Sequence, residues 1–264
     1  MNWDNYIEGL VASIVLAGLV WIISIIKRDV SIVDAIWSSL FIVAAVFYVE
    51  EIHTKAILVF SLLLIWGIRL CLHITIRSWG HPEDHRYEQI RQKYSPGFAI
   101  KSLFIIFIFQ AVLAWIISLP VFLSVNQNSE WTFITYLASA VVLFGIAYES
   151  LTDWQLAKFS RLKNNKGAVL DEGLWAYCRH PNYFGEALIW WGFYLFALEL
   201  GYWWSIVSPL LITYFLLKFS GVSLLESTIS ERRPSYRAYI KSTNAFIPGP
   251  KKKEKAISVE ETRS

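Results

Sequence analysis

Apolar residues fall along this chain in long unbroken blocks, not in the alternation of a half-buried strand or the narrow stripe of a soluble helix. Residues 9–26, 102–125, 131–148 and 200–217 contain no charged side chain. Shorter apolar runs at 35–49, 56–68 and 187–198 are each bordered by an ionisable group. A helix needs about 20 mostly apolar residues to cross a bilayer. The long blocks reach that length outright, and the short runs reach it when their bordering polar groups face protein instead of lipid. The pattern predicts an all-α integral membrane fold with seven transmembrane helices, at about residues 6–26, 31–49, 55–77, 101–125, 131–152, 183–199 and 201–226. They make one membrane domain over residues 1–248, followed by a polar cytoplasmic tail at 249–264. Six spans remain if one short run is re-entrant.

Composition agrees: 55% of the 264 residues are hydrophobic, 13 are Trp, and the mean hydropathy is +0.44. Charge then orients the bundle. Lys27 and Arg28 follow the first span, and Arg77, Arg86, Arg91, Lys93 and Lys101 lie between the third and fourth. Lys158, Arg161, Lys163, Lys166 and Arg179 lie between the fifth and sixth, and Arg232, Arg233, Arg237, Lys241 and Lys251 to Lys253 come after the last. The alternate connections, around Glu50–Lys55, Asn126–Glu130 and Glu199, are short and poor in Lys and Arg. The positive-inside rule therefore predicts an outside N-terminus and a cytoplasmic C-terminus, which requires an odd number of spans. The net charge of +3 is thus topology, not a nucleic-acid footprint; the KKKEK run is a solvated tail or a contact for anionic lipid. Asp4 and Glu8 at the start predict no cleaved signal peptide. Cys71 and Cys178 form neither a disulfide framework nor a metal spacing.

The long mixed-charge loops at 78–98 and 152–182 place any chemistry on the cytoplasmic side. Asp34 opens the second span, either as a helix-start carboxylate favoured by the dipole or as an acid at the substrate end of a cavity. Arg69, His73 and Arg77 share one helix face; the deeper Arg69 calls for an anion inside the bundle, with Asp34, Glu149 and Glu186 as candidates. His73 reads equally as a core histidine or a proton donor. The run GHPEDHRYEQIRQKY offers His81, Glu83, Asp84, His85, Arg86 and Tyr87 at no zinc spacing, and its Arg86 and Arg91 could grip phosphate. Glu149 and Asp153 again share a face, where they suit hydrogen bonds to amide or ribose hydroxyl groups; the cations that follow suit a nucleotide or simply anchor the helix. In KGAVLDEGLWAYCRHPNYFGE, Gly167 and Gly173 mark turns, Pro181 precedes a helix, Asn182 is placed to cap it, and Glu186 lies beside Asn182 on the same face. The chain contains neither GxGxxG nor GxxxxGK[ST], so a Rossmann or P-loop site is not supported.

RHPNYFGE preceded by Gly-Leu-Trp-x-Tyr resembles the signature shared by steroid 5-alpha-reductases and the sterol C14 and C7 reductases. The bacterial membrane branch of the 5-alpha-reductase family is the closer resemblance, through RLxxHIxxR (Arg69, Leu70, His73, Ile74, Arg77), EDxRY (Glu83, Asp84, Arg86, Tyr87), ESxxDWQ (Glu149, Ser150, Asp153, Trp154, Gln155) and TNAFIPxP (Thr243 to Pro250). The similarity covers roughly residues 30–250. It implies a multi-pass protein, placed in the bacterial inner membrane, that binds NADPH in its cytoplasmic half and reduces an activated C=C bond of a lipophilic, steroid-like or other enone substrate drawn from the bilayer. Asp153 and Asn182 match cofactor-bonding residues, Glu186 matches the acid near the nicotinamide end, and Arg161 lies within one residue of a phosphate-binding Arg. Arg179, His180 and Tyr183 belong to the same signature, and Arg233, Tyr236 and Arg237 to the segment that closes over adenine and phosphates. At the substrate end Asp34 stands near a family Glu, but Trp66 stands where a Tyr is expected, and an indole is no useful general acid. Asp34, His73, Tyr87 and Glu186 are the catalytic candidates, no residue is assigned to a metal, and the partners are membrane lipids and the lipophilic substrate.

A rival resemblance is to isoprenylcysteine and phospholipid methyltransferases, which share RHPxYxG; Glu226, Tyr236, Tyr239 and Pro248 fit their looser ending, with S-adenosylmethionine in place of NADPH. A non-catalytic lipid-binding bundle is the remaining reading.

Overall fold

The protein was examined as a computed structural model that describes residues 2–162, 165, 167–219 and 235–252. The described residues are helical, without a strand. In chain order the helices are α1 (Trp3–Lys27), α2 (Ile32–Tyr48), α3 (Thr54–Ser78), α4 (His85–Lys93), α5 (Phe98–Ile117), α6 (Leu119–Val125), α7 (Phe133–Arg161), α8 (Pro181–Glu199), α9 (Val207–Tyr214) and α10 (Tyr236–Ser242). Four of them, α1, α3, α5 and α7, are long and apolar enough to cross a membrane, and α2 and the stretch Trp203–Lys218 are shorter apolar helices. The chain is a helical membrane protein.

Local chemistry sets the ends. Asn2 caps α1 by accepting from the Asp4 amide at 3.0 Å, and Arg28 stops it in the left-handed region at φ 56°. His53 caps α3 through Nδ1 to the Ala56 amide at 3.2 Å, and Asp84 caps α4 by accepting from the Arg86 amide at 2.9 Å. Three boundaries differ from the pattern-based expectation. The run expected as one span at 101–125 is two helices, because Pro120 has no N–H to give and its ring disfavours continuation through Ser118; α5 also carries a π turn at Leu103–Ile108. Helix α7 runs on to Arg161, since neither Gly nor Pro occurs from Ile146 to Lys166. The loop at 78–98 holds α4. Of the last expected span, the residues beyond Phe219 lie outside the described residues.

The chain forms two compact units, residues 1–143 with 189–212, and residues 144–188 with 213–264. In the first, α1 buries small residues (Gly9, Ser13, Ala17, Val20 and Ser24) and exposes Val11, Val15, Leu19, Ile22 and Ile26, as a helix between protein and lipid should. A Cβ on Gly9 would meet the Tyr48 ring at 2.3 Å, so α1 and α2 approach more closely than any other residue there permits. Rings fill the middle: Trp66 stands edge-on to Phe41 at 5.3 Å and to Trp190 at 5.2 Å. At the other end of α3 from Arg77, Lys55 is fully buried and places its three ammonium hydrogens on Glu199 Oε2 (3.0 Å), Ser129 Oγ (2.7 Å) and the Glu130 carbonyl (3.1 Å). In the second unit Gly185 lets α8 press on α7, for a Cβ there would lie 2.8 Å from Glu149 Cβ and 3.0 Å from its backbone nitrogen.

Candidate functional site

The second unit gathers four separated sequence segments. Helix α7 presents Glu149, Thr152 and Asp153 to the interior, all three buried. The turn Gly173–Ala176 is fastened to this helix: Trp175 Nε1 donates to the Thr152 carbonyl at 3.1 Å and the Leu174 amide donates to Gln155 Oε1 at 3.1 Å. Gly173 is required there, having φ +60° and no room for a Cβ, which would meet the Gln155 amide group at 2.7 Å. The chain then runs to Pro181, which opens α8. A proline suits the first helical position because its fixed φ is already helical and its missing N–H has no partner to lose there. This corrects the expected cap: Asn182 is the second residue of α8, not its cap, and the His180 carbonyl accepts from the Phe184 amide at 3.3 Å. Glu186 follows one turn inside, buried, with Asn182 half-buried above it on the same face. His180 is buried and its ring lies parallel to that of Tyr183 at 5.5 Å.

The carboxy-terminal segment closes this arrangement. Tyr239 Oη donates to the carbonyls of Trp175 and Cys178, the latter at 3.2 Å, and Tyr236 packs edge-on to Tyr239 at 5.4 Å. The Arg179 amide donates to the Asn244 carbonyl at 2.9 Å, and its guanidinium to the Ile240 carbonyl at 3.0 Å and the Thr243 carbonyl. The Cys178 thiol donates to the Phe246 carbonyl at 2.9 Å, and burial pushes it up to about 11. Arg179, expected on the cofactor, is thus buried and bonded to the chain's own carbonyls. Arg161 and Arg237 are exposed at the ends of α7 and α10, open to an anion. Arg233, like Lys163, Lys166 and Glu226, lies outside the described residues.

The remaining candidates belong to the first unit. Asp34, in the first turn of α2, accepts from Tyr87 Oη at 2.5 Å and from Arg86 Nη2 at 2.9 Å. Arg86 also forks onto Asp84, at 3.0 and 3.1 Å, and Gln110 donates to Tyr87 Oη at 3.4 Å. Burial pushes the Tyr87 phenol well above its usual value, and the Asp34 carboxylate adds to that. Burial also works against the charge on Asp84, but the bonds from Arg86 outweigh it and hold its carboxyl below the usual range. Arg91 grips Glu83 with two bonds, 2.7 and 3.0 Å, and Glu83 accepts from the Val30 amide at 2.8 Å. Arg86 and Arg91, expected to be available for phosphate, are engaged by carboxylates instead, which latches α4 to the α1–α2 connection. Asp34 likewise accepts from both Arg86 and Tyr87. His73 is half-buried on α3, on the face of Arg69 and Arg77. Trp66 is sealed in the ring cluster, so its indole is a packing group. Among the described residues no group of three or more His, Cys, Asp or Glu is placed to hold a metal ion.

Sequence reasoning missed Gln155, Thr152 and Gln110. Gln155 was visible as the last residue of ESxxDWQ, but its partner is a backbone amide and no side-chain pattern reveals it.

Residues 20–243 match the family described as "Protein of unknown function (DUF1295)", and the chain belongs to that family. It is 25% identical over 285 residues to an uncharacterized protein of Schizosaccharomyces pombe, with 94% of this chain and 80% of the relative covered. No solved structure matches it.

Proposed function

We propose that this member of the family is a membrane-embedded, NADPH-dependent reductase of an activated C=C bond in a lipophilic substrate. The observation that carries the reading is the second unit, where ESxxDWQ, GLWAY, RHPNYFGE and the TNAFIP ending are bonded into one assembly around buried acids. Buried Asp153 and Glu186, with half-buried Asn182, are acceptors suited to the amide and ribose hydroxyl hydrogens of a nicotinamide nucleotide. Exposed Arg161 and Arg237 suit its phosphates. The donor set fits the cofactor, which supplies a hydride when bound.

In the first unit, Tyr87 is the centre of a polar network. Its hydroxyl is held by the 2.5 Å bond to Asp34 and accepts from Gln110, while Arg86 balances the Asp34 charge. The one hydrogen of Tyr87 Oη is thereby committed to Asp34, so the phenol is assigned no proton transfer to substrate. The reading also includes seven spans, an outside N-terminus and residence in the bacterial inner membrane; the fission-yeast relative shows that similar chains occur in a eukaryote as well.

The test is thermal stabilisation of the full-length protein in detergent by NADPH, NADH and S-adenosylmethionine, each alone. The reductase reading expects stabilisation by a nicotinamide nucleotide. Stabilisation by S-adenosylmethionine only would replace it with a lipid or isoprenoid methyltransferase, and no response to any of them would leave a lipid-binding bundle.

A further inference from the structure

Arg179 stands in the signature that the resemblance assigns to the cofactor, yet its bonds lead elsewhere. A helix ends with carbonyls that have no partner within the helix and carry partial negative charge. At the end of α10 those carbonyls, Ile240 at 3.0 Å and Thr243, accept from the Arg179 guanidinium, and Thr243 is completely buried. Around this contact the two segments are zipped together. The Arg179 amide reaches the Asn244 carbonyl at 2.9 Å, the Cys178 thiol reaches Phe246 at 2.9 Å and Ala245 at 3.5 Å, and the Gly249 amide reaches the Tyr177 carbonyl at 3.0 Å. Lys251 adds only an exposed pair with Asp171 at 3.4 Å, which contributes little in water. The guanidinium is buried in this zipper, and its Nη1 spends both of its hydrogens on those carbonyls.

We infer that Arg179 is a positioning residue: it latches segment 236–250 onto the turn at 175–180, and it governs cofactor affinity through that segment. The inference rests on the reductase reading for its second half only. Helix α10 carries Tyr236 and Arg237, so a detached segment removes both from the cofactor side at once. The latch is also what keeps Cys178 out of reach, since its thiol points at the same segment.

The experiment uses the full-length protein in detergent with Cys71→Ser, which leaves Cys178 as the single thiol. N-ethylmaleimide reads the opening of the latch, and titrations with NADPH and with NADH read the cofactor. Arg179→Gln is expected to speed Cys178 alkylation by about tenfold or more, with Arg179→Lys in between, as for a local opening made more frequent. Affinity for NADPH and for NADH should fall, by at least as much as in Arg237→Gln, because Arg237 leaves with the segment. Arg237→Gln should weaken nucleotide binding while leaving alkylation as it was. Unchanged alkylation in Arg179→Gln overturns the latch. An Arg179→Gln, Arg237→Gln double variant whose loss of NADPH affinity is the full product of the two single losses overturns the positioning role, because two effects do not add when one acts through the other. Should Arg179→Gln not fold, the parent protein still decides: saturating NADPH should slow Cys178 alkylation, and no protection overturns the coupling. If neither nucleotide binds the parent, the reductase reading fails while the alkylation series still reads the latch.

Discussion

The close approach of α8 to α7 can be tested with a single methyl group. At Gly185 an added Cβ would lie 2.8 Å from Glu149 Cβ, 3.0 Å from its nitrogen and 3.1 Å from its Cα. Carbon atoms pack at about 3.5–4.0 Å, so the helices must separate by roughly 1 Å or distort locally. The obstacle is backbone and Cβ, not the tip of a flexible side chain, and nothing can swing aside. Overpacking of this kind costs about 1–3 kcal/mol, partly offset by about 1 kcal/mol from the better helix propensity of alanine. Gly18, in the middle of α1, provides the control, because nothing lies within 4 Å of a Cβ there. The same substitution should therefore have opposite signs. Rigid backbone puts the clash at the top of that range and leaves about 2 kcal/mol, so at roughly 2–4 °C per kcal/mol Gly185→Ala should lower the detergent melting temperature by about 4–8 °C, and Gly18→Ala should leave it unchanged or raise it by about 2–4 °C. Differential scanning fluorimetry on the tryptophans reads both. A Gly185→Ala protein as stable as its parent would refute the packing drawn for α7 and α8.

Four further outcomes are expected. Lys55→Met leaves Glu199 buried without its ammonium partner and should cost about 3–5 kcal/mol, while the double variant Lys55→Met with Glu199→Leu should recover most of it; equal melting of single and double variants would show that the pair is not coupled. Cys178 should be alkylated at pH 8 about two orders of magnitude more slowly than a free thiol near 8.5, because burial raises it to about 11. The sign for stability follows: the raised thiol contributes fully below the unfolded value and its contribution is lost as pH rises toward 11, so the alkaline shift of the melting curve should be smaller in Cys178→Ser than in the parent. Tyr87→Phe removes the hydrogen that Asp34 accepts at 2.5 Å and should cost about 1.5–3 kcal/mol, as for a bond to a charged group; an unchanged melting temperature would show that the bond is not made.

Much of the helical frame was legible because hydropathy and membrane thickness constrain each other. Where the reading slipped, a short-range signal was outweighed by the long-range one. The unbroken hydropathy of 102–125 hid a break that Pro120 announces plainly. Helix α7 was cut at the expected membrane surface, although a helix stops at a breaker and not at a lipid boundary; none occurs until Gly167. The polar stretch that forms α4 has only the Asp84 cap to mark it, because its side chains hold it by ion pairs instead of an apolar face.

The candidate site was legible in its residue types and not in its bonds. Glu149, Asp153 and Glu186 could be read as interior acids because a carboxylate in such surroundings is costly unless it is partnered, and all three are buried. Arginine is ambiguous in a different way. Arg86 and Arg91 invited a phosphate and Arg179 the cofactor, and each proved to grip an acceptor of the chain itself: Asp34 and Asp84, Glu83, and the end of α10. A guanidinium fork meets a carboxylate, a phosphate or a pair of carbonyls with the same geometry. Only the fold decides which acceptor is nearest, and for Arg179 that acceptor lies 61 residues away along the chain. The exposed Arg161 and Arg237 are therefore better candidates for phosphate than the buried arginine of the signature, because their charge still faces solvent from which a nucleotide arrives.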